Sequence, residues 1–266
     1  MGSAIFKNQN EKNEFLEPTL SRMRLKANLI MSTDWLVKDY RGIFMSLIKS
    51  AFMNYDPLLY ANLYGTDEQK RKVNKPFTFS VGFPRYKGIE GNKILCGNHI
   101  SLIFSSNDET LVTAFYNGLN KKNEFVIGEN LPIIFNLDRV QLLPLIKITA
   151  NKVAFKTISP VLVNDKGSNL DYLSPTQPEF ARAFRFIIAE QARHFQIPCT
   201  DDMIDFEIDE RKIKRLPLTH YRQTMTSWLG VFTLKATTEV LQLVYDTGIG
   251  VRRSQGFGML EIIKQL

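Results

Sequence analysis

Cysteine, histidine and long apolar runs are scarce in this sequence of 266 residues, and each scarcity excludes a class of protein. The two cysteines, Cys96 and Cys199, lie far apart, and the three histidines share no ligand spacing with them, so neither a disulfide framework nor a zinc site is expected. No segment approaches the ~18 to 20 consecutive apolar residues that a membrane span needs. Residues 1–18 lack the apolar stretch of a signal peptide and are expected to form a polar tail. We therefore expect a protein of the reducing cytoplasm with no membrane contact, no metal and no cofactor.

Basic residues, by contrast, are in excess. The sequence contains 34 Lys and Arg against 27 Asp and Glu, which gives a formal net charge of +7. Such an excess favours a polyanionic partner, most often a nucleic acid. With 44% hydrophobic residues, a chain of this length buries a core without disulfides or metal.

Strand-like and helix-like patterns follow the order strand, helix, strand, strand, helix, strand, and this order occurs twice. The first set comprises strands at 20–29, 75–81 and 93–105, helices at 39–52, 56–63 and 108–119, and a last strand near Phe125. The second set comprises strands at 152–163, 203–216, 227–235 and 259–263 and helices at 178–195 and 237–245. The order βαββαβ is that of a ferredoxin-like unit. The sequence thus predicts an α+β protein with tandem ferredoxin-like domains packed side by side, at 19–128 and 146–266, with a connector at 129–145.

The most informative segment is 248–258, which contains four glycines in eleven residues. It is not a Rossmann loop, because a helix precedes it and a strand follows it, and it lacks the Gly-Lys-Ser/Thr of a Walker loop. A glycine-rich turn that carries Arg252, Arg253 and Ser254 suits a phosphodiester backbone, since glycine allows close approach and arginine offers a planar fork. The alternative is a tight connection whose glycines only permit positive φ.

This segment resembles the glycine-rich signature of the Cas6 endoribonucleases, the CRISPR-associated RAMP proteins that trim CRISPR precursor RNA. Segments 40–44, 75–80 and 155–163 resemble, in the same order, the family's first helix, its second strand and the first strand of its second domain. The resemblance implies tandem ferredoxin-like domains in which the loop joins the last helix to the last strand. It also implies CRISPR repeat RNA as the partner, other subunits of a CRISPR effector complex as further partners, and a monomer or homodimer.

The activity that the resemblance implies is an RNA cleavage without metal. The 2′-hydroxyl beside the scissile phosphate attacks it and leaves a 2′,3′-cyclic phosphate and a 5′-hydroxyl, which needs a base, an acid and positive charge on the phosphorane. The family pattern implies a tyrosine at the start of the first helix, here Tyr40, then a histidine, and then a lysine, here Lys70 or Lys72. The sequence departs from the pattern at the histidine, whose expected position falls at or near Ala61.

Three interpretations of that departure stay open. In the first, Ala61 replaces the general acid–base and the chain is a catalytically inactivated form. In the second, Tyr40, Tyr64 and the nearby lysines perform the cleavage without histidine. In the third, the chain is a non-cleaving subunit of a CRISPR effector complex that binds the repeat of the CRISPR RNA.

Basic side chains and the glycine-rich segment are the expected RNA contacts, since RNA is held by cations along a groove and by aromatic rings under unpaired bases. These candidates are Arg41, Lys49, Lys152, Lys156, Lys212, Lys214, Arg222, Gly250, Arg252, Arg253, Ser254, Gln255 and Gly256. Two of them, Lys212 and Lys214, belong to a basic hairpin of the size to enter the groove of an RNA stem. His220 is expected in a loop, where Tyr221 would stack on a base and Arg222 would hold a phosphate.

Overall fold

The computed structural model describes residues 24–65, 74–129, 131–143, 146–165, 172–221 and 223–266. In chain order its elements are β1 (Arg24–Met31), β2 (Trp35–Val37), α1 (Arg41–Tyr55), α2 (Pro57–Tyr64), β3 (Phe77–Gly82), β4 (Gly88–Glu90), β5 (Lys93–Leu95), β6 (His99–Ser106), α3 (Glu109–Lys121), β7 (Glu124–Ile127), β8 (Ile133–Leu143), β9 (Lys152–Thr157), α4 (Phe180–His194), β10 (Asp205–His220), β11 (Gln223–Lys235), α5 (Thr238–Thr247) and β12 (Leu260–Gln265). None of the helices in these ranges is both long enough and apolar enough to cross a membrane.

The first sheet is antiparallel and has the strand order β3-β6-β1-β8-β7. Its central strand β1 alternates buried Leu25, Ala27 and Leu29 with half-buried residues, as expected of a strand with one face against helices. Helix α1 buries the stripe that includes Phe44 and Ile48 in the same core. Strands β1, β3, β6 and β8 with α1 and α3 make one ferredoxin-like unit.

The second sheet is also antiparallel and has the order β10-β11-β9-β12. Within each unit, the strands therefore lie side by side in the order second, third, first and last. Its core is centred on Trp228 and Phe184, and α4 and α5 cover it. The predicted tandem ferredoxin-like fold is therefore confirmed. The match follows from strong period-two and period-3.6 patterns in both halves.

Residues 129–145 are a difference from the prediction, because most of the expected connector is the strand β8. β8 pairs with β1 on one side and β7 on the other, so it fills the fourth position of the first unit. Its apolar positions, such as Phe135 and Leu137, alternate with polar ones, such as Asn136 and Asp138, and this signal identifies a half-exposed strand. We accordingly propose 24–143 and 146–266 as the two domains.

Asp39 lies directly before α1 but does not cap it. The N-cap of α1 is Tyr40, and no side chain accepts a hydrogen bond there. Asp56, by contrast, caps α2 by accepting from the Leu59 N–H at 2.9 Å, with Pro57 at the first helical position. The Asp39 carboxylate is instead engaged by the second domain.

Buried polar contacts join the two halves. The guanidinium of Arg24 donates to the carbonyls of Leu260 and Tyr245 at 2.6 and 2.5 Å and lies over the Tyr245 ring. Burial lowers the pKa of this guanidinium, although Tyr245 and nearby acidic residues oppose the effect. Ser80 donates to the carbonyl of Ile158 at 2.9 Å. Buried polar groups need hydrogen-bond partners, and Arg24 and Ser80 have theirs in the other domain. These hydrogen bonds therefore fix the orientation of the two domains relative to each other.

Candidate nucleic-acid interface

One face of α1 lies toward the second domain and carries Arg41, Met45 and Lys49 at helical spacing. Arg41 is buried, and its Nε donates to the carbonyl of Gly256 at 3.3 Å. One turn further, Met45 Sδ accepts from the hydroxyl of Tyr221 at 3.7 Å. Another turn on, Lys49 Nζ lies 4.8 Å from the centre of the Tyr64 ring. The glycine-rich segment, the β10–β11 turn and the end of α2 therefore follow one another along a single helix face.

The glycines of 248–258 serve domain packing. All four have positive φ, and a Cβ on Gly256 would lie 2.7 Å from the Phe79 ring of β3. A Cβ on Gly250 would lie 2.4 Å from the carbonyl oxygen of Leu162. Thr78 of β3 also donates to the carbonyl of Phe257 at 2.8 Å. The segment therefore makes a tight helix-to-strand connection that is pressed against the first domain.

The two arginines of this segment differ in accessibility. Arg253 is buried and donates to the Gly250 carbonyl at 3.0 Å and to Asn74 Oδ1 at 2.9 Å, and its burial lowers its pKa to about 10. Arg252 is half-buried in a left-handed conformation and donates to Tyr172 and Gln223 at 2.5 and 3.0 Å. Of the two arginines predicted to hold phosphate, Arg252 has the accessible guanidinium, while Arg253 holds the segment to the first domain.

His220 is not in a loop, as the sequence predicted, but at the end of β10, where it is fully buried. Its Nδ1 lies 2.7 Å from Asp39 Oδ1, and its Nε2 lies 3.2 Å from Gln255 Oε1. The backbone N–H of Tyr221 donates to the other Asp39 oxygen at 2.9 Å. His220 therefore connects both domains, and its burial keeps it from direct contact with RNA.

Lysine and tyrosine side chains form a second cluster at the end of α2. Lys49 and Lys75 place their ammonium groups 4.8 and 4.7 Å from the centre of the Tyr64 ring, and the Tyr60 ring lies 5.1 Å from it. Burial, and secondarily the charge of Lys49, lowers the pKa of Lys75. Burial also raises the pKa of Tyr64, so its hydroxyl keeps its proton. Neither ammonium has an ion-pair partner among the residues that the structure describes, so the cluster concentrates positive charge.

A cleft of about 660 Å³ joins this cluster to the glycine-rich segment. Lys75 lines it together with Arg252, Ser254 and His194. Lys75 of the cluster and the accessible Arg252 thus border one cavity. The volume of the cavity and the positive charge of Lys75 and Arg252 suit a segment of a polyanion.

Of the three residues predicted for catalysis, the structure describes two, Tyr40 and Ala61. Tyr40 packs edge-on against Phe83 at 5.1 Å and lines a different cleft of about 740 Å³. It lies nine positions before Lys49 on α1, about 13 Å along the helix axis. Ala61 is half-buried on α2, one turn before Tyr64. Lys70 and its alternative Lys72 lie outside the described residues, as does Arg222.

The remaining predicted RNA contacts lie on the second sheet. Lys156, Lys212 and Lys214 line one groove of about 560 Å³ beside Gly230. Lys212 also lies 3.6 Å from Asp209. Lys152 forms an ion pair with Glu207 at 2.8 Å, so its charge is already compensated.

Two contributors were absent from the predicted site residues. Lys75 was predicted only as the start of a strand. Because the strand that follows it is buried, that strand also fixes the position of the lysine. The pairing of Asp39 with His220 spans 181 residues, which no local pattern reveals.

The described chain thus consists of tandem ferredoxin-like domains closed by a glycine-rich loop, with a cleft lined by basic residues beside that loop. A solved structure described as a RAMP protein binding different RNA substrates superposes with a TM-score of 0.72 at 23% identity, over 91% of this chain and 100% of that one, which shows the shared fold. Residues 143–262 match the family described as CRISPR associated protein Cas6, C-terminal. The C-terminal part of the chain is thus similar to this family.

Two curated relatives come from Pyrococcus species. The CRISPR-associated endoribonuclease-like protein Cas6nc of Pyrococcus horikoshii is 26% identical over 67% of this chain and 73% of its own length. The corresponding protein Cas6 of Pyrococcus furiosus is 28% identical over 66% of this chain and 73% of its own length.

Proposed function

We propose that this chain binds CRISPR repeat RNA in the cleft between α4 and the glycine-rich segment and cleaves it beside the Tyr64 cluster. One observation carries the proposal: Lys49 and Lys75 converge on Tyr64 without a described anionic partner, at the edge of a cleft that also contains Arg252. Two adjacent ammonium groups repel each other, and a phosphate between them removes that repulsion. The endoribonuclease-like relatives support RNA as the source of the phosphate.

The proposed reaction is attack of the 2′-oxygen on the neighbouring phosphorus, with loss of the 5′-oxygen of the next nucleotide. The products are a 2′,3′-cyclic phosphate and a 5′-hydroxyl, and every transferred proton is supplied or taken by side chains. Lys49 supplies charge to the phosphorane oxygens, where it is worth most in the transition state. Lys75, whose pKa burial lowers, is the group best suited to accept the proton of the 2′-hydroxyl. Tyr64 retains its own proton and donates a hydrogen bond to the leaving 5′-oxygen, which takes its proton from the Lys49 ammonium, so one proton leaves the 2′-hydroxyl for Lys75 and one reaches the 5′-oxygen.

A second function, repeat binding without cleavage, is favoured by one observation. Within the described residues no histidine contributes to the Tyr64 cluster: His220 is buried between the domains and His194 lies across the cleft. The chain would then hold the repeat as a subunit of a CRISPR effector complex. In this version the lysines bind phosphate and Ala61 occupies the place of the missing acid–base.

The test is denaturing-gel cleavage of a labelled CRISPR repeat RNA in EDTA by the wild-type chain, Tyr64→Phe and Ala61→His. Cleavage by the wild type that falls at least ~100-fold in Tyr64→Phe supports the mechanism above. Cleavage by Ala61→His alone identifies a vacated catalytic position. Binding without cleavage by any of the three supports the second function.

Lys121→Ala is the matched control, because Lys121 is exposed at the far end of α3. It should bind and cleave like the wild type. Absence of RNA binding by the wild-type chain at ~50 mM salt, where phosphate contacts are strongest, would contradict both functions.

A further inference from the structure

Tyr221 combines high exposure with an unfavourable backbone. It lies in the turn between β10 and β11 with φ of 50°, in the left-handed region that non-glycine residues rarely adopt, and 58% of its surface is exposed. A bulky residue in this conformation persists only where surrounding contacts hold it, and such positions cluster at binding sites. An exposed ring contributes little to the core, so stability gives no reason for a tyrosine here.

Four contacts hold the turn in place. Asp39 Oδ2 accepts from the backbone N–H of Tyr221 at 2.9 Å, while Asp39 Oδ1 lies 2.7 Å from the buried ring of His220. The His220 ring lies 4.3 Å from the Tyr221 ring at 43°. The Tyr221 hydroxyl donates to Met45 Sδ at 3.7 Å. These contacts come from the first domain and from β10, so the ring is oriented before any ligand binds.

The surroundings of the ring match a nucleotide. Along α1, Met45 lies between Arg41 and Lys49, so the Tyr221 ring is one helical turn from Lys49 and the Tyr64 cluster. The charge of Arg252 also acts on the Tyr221 hydroxyl. An exposed aromatic ring with cations nearby suits a stacked base whose flanking phosphates reach those cations.

We propose that Tyr221, fixed by Asp39 and His220, is a stacking platform for one unpaired base of the bound RNA. The inference rests on the proposed RNA binding and adds a specific contact to it. Unlike the lysines, which bind any phosphate, the platform requires a base that is free of pairing. It therefore selects a single-stranded position of the repeat next to the Tyr64 cluster.

The experiment measures dissociation constants for a labelled single-stranded CRISPR repeat RNA and for a series in which each nucleotide in turn is abasic. The proteins are the full chain, Tyr221→Ala, Tyr221→Phe and Tyr221→Gly, with Tyr86→Ala as control. Tyr86 is 56% exposed, nearly the same fraction as Tyr221, but has an ordinary backbone conformation. Melting temperatures are recorded for every variant.

We expect Tyr221→Ala and Tyr221→Gly to weaken binding about 5- to 150-fold, the range for one stacked base, and Tyr221→Phe and Tyr86→Ala to stay within about 2-fold. One abasic position should weaken wild-type binding by a similar factor and have no effect on Tyr221→Ala. Tyr221→Gly should melt within about 3 °C of the wild type or above it, since glycine relieves the left-handed strain.

Other results overturn the inference in distinguishable ways. If the wild type binds RNA and Tyr221→Ala binds equally well, the stacking platform is wrong while the proposed function stands. If Tyr221→Ala weakens binding of every abasic RNA by the same factor, Tyr221 acts on the fold of the turn and stacks on no base. If the wild type does not bind RNA, the proposed function fails and the platform fails with it.

Discussion

The glycine-rich segment and the Tyr64 cluster are opposite kinds of site, although they border one cleft. The segment is conspicuous in the sequence, yet its backbone is pressed against β3 and its Arg253 is buried with internal acceptors. The cluster is assembled from α1, α2 and the residue before Pro76, and no motif marks it, yet its ammonium groups have no anionic partner in the described residues. The glycine-rich segment thus packs the second domain against the first, while Lys49 and Lys75 remain without a described anionic partner.

The largest expected effect tests the packing role of the segment. In Gly258→Ala the new Cβ would lie 1.8 Å from the carbonyl oxygen of Ile249, at a φ of 72°, so we expect a loss of about 3 kcal/mol or more in the free energy of unfolding. Gly91→Ala is the control, since Gly91 also has positive φ but nothing within 4 Å, and it should cost only about 1 kcal/mol. Chemical denaturation measures both. Equal losses in the two variants would show that backbone conformation alone matters there.

If the Tyr64 cluster supplies charge for RNA binding, a variant of the cluster should lose RNA affinity and keep its stability. Lys75→Ala should weaken repeat RNA binding about 10-fold and leave the melting temperature unchanged or higher, because it removes a half-buried cation beside Lys49. Parallel binding and thermal-denaturation experiments measure the two effects. A large drop in melting temperature would assign Lys75 to the fold and would erase the contrast with the glycine-rich segment.

The pH dependence should have opposite signs for stability and for binding. Folded Lys75 has a pKa below 10.5 and the unfolded chain does not, so between these two values the unfolded state binds more protons and stability rises with pH. RNA affinity should fall over the same interval, about 3- to 10-fold, as the amine loses its charge. Lys75→Arg should move that fall to higher pH, because arginine stays charged. Dissociation constants from pH 7 to 10.5 at constant salt would show whether the shift occurs.

The smallest effect is expected at Lys152. Its exposed pair with Glu207 is worth about 0 to 1 kcal/mol, and its charge is already compensated. Lys152→Ala should therefore change both melting temperature and RNA affinity very little, by less than about 2-fold in the latter. A marked loss of affinity would extend the RNA surface along β9 toward Lys156 and its groove.

The periodicity of the sequence was sufficient to predict the helices and most strands, because local spacing alone places the apolar residues of each element on one face. It failed at β8, where the sequence predicted a connector. There Phe135 and Leu137 alternate with polar residues on a half-exposed strand. It also misplaced His220, since a polar residue beside a turn has the local signature of a loop. At both positions the environment is set by residues far away in the chain.

The sequence by itself determined the excess of basic residues, the two βαββαβ units and the tight turns at 248–258, because composition, period and glycine act locally. The tertiary structure decided which cations remain available. Arg253 meets Asn74 across 179 residues, and Asp39 meets His220 across 181. Lys49 and Lys75 meet at Tyr64 with no described anion between them. A cation is neutralised only when the fold brings an anionic or polar group within a few ångströms of it. The distances between such groups are fixed only once the chain is packed.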